Sequence, residues 1–239
     1  MGDAISHAIL PGIAISYMLG INYFYGAVAM GVITSLGIGF VSQNSKLKND
    51  TAIGIVFSAF FALGIILLMK AQTAVDLTQI LFGNVLTVRT SDMWLTFGVG
   101  IFVLLCIYVF YKEFLITSFD PTIAKSYGMN TNYIHYFMMV LLTLVTVASL
   151  QTVGVILVVA MLITPAATAY LLTNKMTTMI ALSAFFGASS AIIGLYFSFR
   201  YNLTSGAVIV LVATAFFILA FLFAPKQGVL WNKMKKNKV

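Results

Sequence analysis

The chain predicts an all-α fold, a polytopic transmembrane helical bundle of about eight membrane segments, some kinked at Pro or Gly. Two observations predict it. Of 239 residues, 61% are apolar and only 8% are charged, a balance no soluble fold of this length can adopt while still facing water. The charges also fall in short clusters between apolar runs of about 18 residues or more, the length that crosses the hydrocarbon core as a helix. Function is therefore sought in the polar residues that interrupt these runs, because each is expensive in lipid.

The segments fall in order at about 3–20, 22–41, 52–69, 93–111, 133–150, 153–172, 178–197 and 206–224. The first carries Asp3 and His7, then Pro11 and Gly12. The second holds a row of small residues every four positions: Ala27, Gly31, Ser35 and Gly39. Gly54, Ser58 and Ala62 form such a row in the third, and Ser183, Gly187 and Ala191 in the seventh. Small-xxx-small rows let helices approach closely in lipid, so these read as packing seams. The fourth segment contains the single cysteine, Cys106, which excludes a disulfide within one chain. His135 opens the fifth and reads as interfacial or packed. The sixth carries Thr164 and Pro165; a proline in mid-span frees the carbonyl four residues earlier and marks a kink, and Thr164 and Thr168 are placed to serve that backbone or line a path.

Residues 1–225 thus form one transmembrane domain and 226–239 a basic tail. The connections alternate sides. One side holds Lys46, Lys48, Lys112, Lys125, Lys175 and the tail lysines 226, 233, 235, 236 and 238; the other holds only Lys70, Arg89 and Arg200. That bias predicts a cytoplasmic carboxyl end and a cytoplasmic 112–132 connection. The net charge of +7 reads as tail lysines beside an anionic leaflet, with no nucleic-acid partner. The twelve methionines show no repeated spacing and read as apolar filler. No Gly-x-x-x-x-Gly-Lys-Ser/Thr loop is present, so the chain is not expected to hydrolyse nucleotide itself.

Two further stretches bear on chemistry. In Gly2 to Gly12, Asp3 and His7 are four apart and share a helix face. A carboxylate and an imidazole together suit Mn²⁺, Fe²⁺ or Zn²⁺. Spacing alone leaves a second reading open, in which Asp3 caps the helix start and His7 pairs with it locally. Pro11 removes a backbone hydrogen bond and Gly12 loosens the chain, so a carbonyl is free to turn toward a cavity. In Ser118 to Gly128, Asp120 is placed as an N-cap and Pro121 at the first helical position, with Gly128 to close a short helix. That stub reads either as an ordinary capped loop or as a docking knob for a cytoplasmic partner.

At these residues the chain resembles the membrane permeases of bacterial ABC transporters that import zinc, manganese or iron(II). The resemblance rests on Gly2 to Gly12, on Ile80-Leu81-Phe82-Gly83-Asn84, on Phe119, Asp120, Pro121, Ala124 and Gly128, and on Val153-Gly154-Val155 through Thr164-Pro165-Ala166-Ala167-Thr168-Ala169. It implies a homodimeric or paired permease in the bacterial cytoplasmic membrane, served by a cytoplasmic ATP-binding subunit and an extracytoplasmic metal-binding (lipo)protein. It further implies that Asp3 and His7 are transient metal ligands, that 119–128 is the ATPase-coupling helix, and that nothing is bound permanently beyond the transported Mn²⁺, Zn²⁺ or Fe²⁺. Members of that family carry another span before the signature, which here begins at Met1, so a first span is expected to be missing. Two rivals stand beside this reading. A secondary carrier driven by ion gradients would need no docking knob, and an intramembrane protease would need a second aspartate facing Asp3, which no span supplies.

Overall fold

The computed structural model of the chain describes residues 1–70, 85 and 88–224. The 80–84 motif and the tail lysines lie outside the described residues. The described elements are helices: α1 (Gly2–Ala8), α2 (Leu10–Leu19), α3 (Tyr23–Asn44), α4 (Asn49–Lys70), α5 (Thr90–Val109), α6 (Tyr111–Phe119), α7 (Pro121–Ser126), α8 (Thr131–Val153), α9 (Val155–Leu172), α10 (Met176–Tyr201) and α11 (Ser205–Phe223). Of these, 7 are long and apolar enough to cross a membrane. The predicted segment 3–20 is helical but broken just before Pro11, so it comes as two short helices, α1 and α2, joined through Ile9. The 112–132 connection is not mainly loop, since α6 and α7 occupy most of it.

The chain divides into two compact units, the first built from α1 to α8 and the second from α9 to α11 with Val85. In the first, α1, α2, α3 and α4 pack on one another. The row on α3 is a seam. A Cβ on Gly31 would lie 2.5 Å from Thr143 Cγ2 of α8, and one on Gly39 would strike the Tyr136 ring. The predicted row on α4 packs against no helix among the described residues. Nothing lies within 4 Å of a Cβ at Gly54, and Ser58 and Ala62 are exposed. Instead Ala52, Val56, Gly64 and Leu68 are buried. α5 buries Val103 alone of its residues; Thr96 Oγ1 ties it to α8 by donating to the Ala148 carbonyl at 3.0 Å.

The tightest crossing joins α2 to α3, where Gly12 and Gly26 meet backbone to backbone and Ser16 Oγ lies against Gly26. Ser16 is fully buried and its hydroxyl has no hydrogen-bond partner among the described residues. A buried unpaired hydroxyl costs about 1–3 kcal/mol. Ser16→Ala is therefore expected to leave the melting temperature of the purified protein unchanged or raised; a clear drop would show that the hydroxyl is bonded.

In the second unit α9, α10 and α11 pack pairwise. A Cβ on Gly194 of α10 would fall 2.6 Å from Ile209 of α11, and Gly187 faces the Pro165 ring. Pro165 sits inside α9 without ending it. Thr168 Oγ1 donates to Thr164 O at 2.7 Å, so it does not serve the Met161 carbonyl that Pro165 leaves without a donor.

Candidate metal site

The site grows out of the break between α1 and α2. Pro11 lies in the first turn of α2 and has no N–H, so the His7 carbonyl loses its helical partner. Ile9 bridges the halves at φ −80, ψ −10, and bonds from Ile9 N to Ile5 O and Ile13 N to Ile9 O, each 3.2 Å, carry the chain through. On α1 the residues Gly2, Ala4, Ile5, Ser6 and Ala8 are buried, and Ser6 Oγ returns its hydrogen to Gly2 O at 2.9 Å. Asp3 and His7 occupy the open side of an otherwise covered half-helix.

Asp3 is not a cap. Met1 holds the N-cap position, and no side chain caps α1. His7 Nε2 and Asp3 Oδ1 stand 3.6 Å apart, too far for a hydrogen bond. Two donors each about 2.1 Å from one ion would be separated by about 3.0 Å at a right angle and about 3.4 Å at a tetrahedral angle. The observed spacing is within a few tenths of an ångström of that range. Asp3 is the more open partner, its side chain 62% exposed against 24% for His7. Among the described residues no group of three or more His, Cys, Asp or Glu side chains gathers around a common point.

The sequence reading missed two residues. Phe57 and Phe61 of α4 flank the imidazole, with ring centroids 5.8 and 5.6 Å away at 61° and 83°, and they stack on each other at 5.7 Å. Their four-residue spacing was visible, but nothing local says that this face of α4 meets α1.

The 119–128 segment forms as expected. Asp120 Oδ1 accepts from Thr122 N at 2.9 Å and Ile123 N at 3.0 Å, and Pro121 occupies the first turn of α7. Gly128 closes it at φ +76, a left-handed conformation that favours glycine. Gly128 N then bonds Lys125 O, and Met129 N bonds Ala124 O. Ala124 is wholly buried, whereas Phe119, Ile123 and Tyr127 are exposed at helical spacing. Phe110 and Phe114 seat α6 on Phe137 of α8 at ring distances of 5.4 and 5.9 Å. Thr164 and Pro165 belong to the second unit and are described apart from these groups.

Among the described residues, 7 helices are long and apolar enough to cross a membrane, and polar side chains on a broken helix interrupt the apolar pattern. That defines the class, a multi-pass membrane protein. Residues 1–224 match the ABC 3 transport family, and the chain belongs to that family. It is 66% identical over 99% of its length to the manganese transport system membrane protein MntC of Listeria innocua, covering 84% of that relative. It is 53% identical over 98% of its length to the manganese import system permease protein ScaB of Streptococcus gordonii, again covering 84%. The solved structure of PsaBC from Streptococcus pneumoniae in complex with Fab contains a chain 52% identical to it, at a TM-score of 0.85, with 98% of this chain and 84% of that one covered.

Proposed function

We propose that the chain is the conduit of an ATP-binding-cassette importer that carries a divalent metal ion, manganese first among the candidates, across the cytoplasmic membrane. The observation that carries this is the Asp3–His7 pair at ion-ligand spacing on the open side of α1. Relatives that are 66% and 53% identical and named for manganese support the choice of cargo over zinc or iron. Asp3 supplies negative charge to draw the cation in, and His7 supplies a nitrogen donor that suits Mn²⁺, Fe²⁺ or Zn²⁺ over the alkali ions. With only two side-chain ligands the hold is loose, which favours passage over storage.

The energy comes from a separate cytoplasmic ATPase seated on α7, two copies of the permease pair, and an extracytoplasmic binding protein delivers the ion. The support is α7 itself, a stub capped by Asp120 with Ile123 and Tyr127 exposed, and with Phe119 exposed at the end of α6 just before it. A secondary carrier has no use for such a stub. Uptake of Mn²⁺ by cells carrying an ATPase partner that cannot hydrolyse ATP is expected to fall to background; uptake at the normal rate would favour the gradient-driven carrier instead. Ala124→Trp, which forces a large ring into a fully buried position, is expected to lower the amount of ATPase co-purifying with the permease several-fold. Undiminished co-purification would remove α7 as the docking element.

A further inference from the structure

We propose that Phe57 and Phe61 are positioning residues that make His7 the fixed ligand of the metal site and leave Asp3 as the mobile one; this rests on Asp3 and His7 being the ligands. The register of α4 supports it. Phe57, Phe61 and Gly64 lie on one helix face, four and then three residues apart. Gly64 is buried, and a Cβ there would fall 2.6 Å from Leu10 Cβ and 2.9 Å from Pro11 Cδ. α4 is thus seated at backbone distance against the first turn of α2, immediately past the break. One and two turns earlier on that face, the two phenyl rings come beside the imidazole.

Both rings meet His7 in the T-shaped arrangement that aromatic pairs prefer, at 83° and 61°. They also stack on each other, so neither swings without disturbing its neighbour. A partial turn of the imidazole about its bond to Cβ would break both contacts. The rings hold its plane, with Nε2 3.6 Å from Asp3 Oδ1. Asp3, its side chain 62% exposed, has no such wall among the described residues. A donor already held in place loses little side-chain freedom on binding, so the rings act on affinity. A swinging carboxylate beside it can follow the ion in and let it go.

The test is Mn²⁺ uptake by vesicles containing the permease with its ATPase partner, comparing Phe57→Leu/Phe61→Leu with Phe57→Tyr and Phe61→Tyr. Leucine keeps apolar bulk and loses the ring; tyrosine keeps the ring. The expected result is a rise of about threefold to tenfold in the half-saturating Mn²⁺ concentration for the leucine pair, with a maximal rate within about twofold of normal and near-normal tyrosine variants. An unchanged half-saturating concentration, or a lost maximal rate at unchanged half-saturation, would overturn the proposal. Should the leucine pair not assemble, Phe57→Leu alone is read by the same two criteria. Asp3→Asn is measured in parallel. If it is silent, the metal site itself falls and the clamp with it; if it abolishes uptake while the leucine pair is unshifted, the clamp alone falls.

Discussion

Asp3→Ala is expected to lower Mn²⁺ uptake at limiting metal by about a hundredfold, equivalent to about 2.7 kcal/mol. The permease should still assemble with its ATPase. The loss is large because the proposed site rests on Asp3 and His7, and no cluster of three or more such groups offers a substitute among the described residues. The fold should survive because Asp3 makes no capping bond and its side chain is largely exposed. His7→Ala should reduce uptake as well, with the added loss of packing against Phe57 and Phe61. The measurement is radiolabelled metal uptake beside co-purification of the complex. Normal uptake by Asp3→Ala with full assembly would remove the ligand assignment.

The largest effect on stability is expected from Gly26→Val. A Cβ at Gly26 would overlap Ser16 Oγ and the Gly12 carbonyl, and a Cβ at Gly12 would lie 2.7 Å from Met30 Cβ. Two backbones in contact have no flexible side chain to move aside, so α2 and α3 must separate. A penalty of about 3 kcal/mol or more is expected from overpacking of this kind. Thermal unfolding in detergent should show a substantially lower midpoint or no folded protein at all. Gly54→Ala is the control, because nothing lies within 4 Å of its added carbon. An unchanged midpoint for Gly26→Val would mean that this crossing is not held as described.

Span length was the most legible property of the sequence, because crossing lipid imposes a minimum run of apolar residues. The N-cap at Asp120 and the stop at Gly128 were legible for a similar reason, as both act through bonds within a few residues. The bend before α6 was not. It falls at Phe110, φ −98 and ψ 21, where neither Gly nor Pro marks it, so the fourth segment was carried through to residue 111. Small residues permit close packing without requiring it. Gly31 and Gly54 look alike in sequence, yet only Gly31 has a neighbouring helix against it. Asp3 and His7 were visible from their spacing, whereas Phe57 and Phe61 acquire meaning only once α4 is laid against the break.

The buried hydroxyls have a consequence of their own. Ser6, Thr34, Ser35, Thr143, Thr146 and Thr168 each hand their proton to a carbonyl of the helix they belong to. They contribute little adhesion from one helix to the next, so what joins the helices at these places is shape. Exchanging such a hydroxyl for a methyl should therefore be mild, while adding a methyl at Gly12, Gly26 or Gly194 should be severe. In this interior, vacant space is the scarcer commodity than polarity.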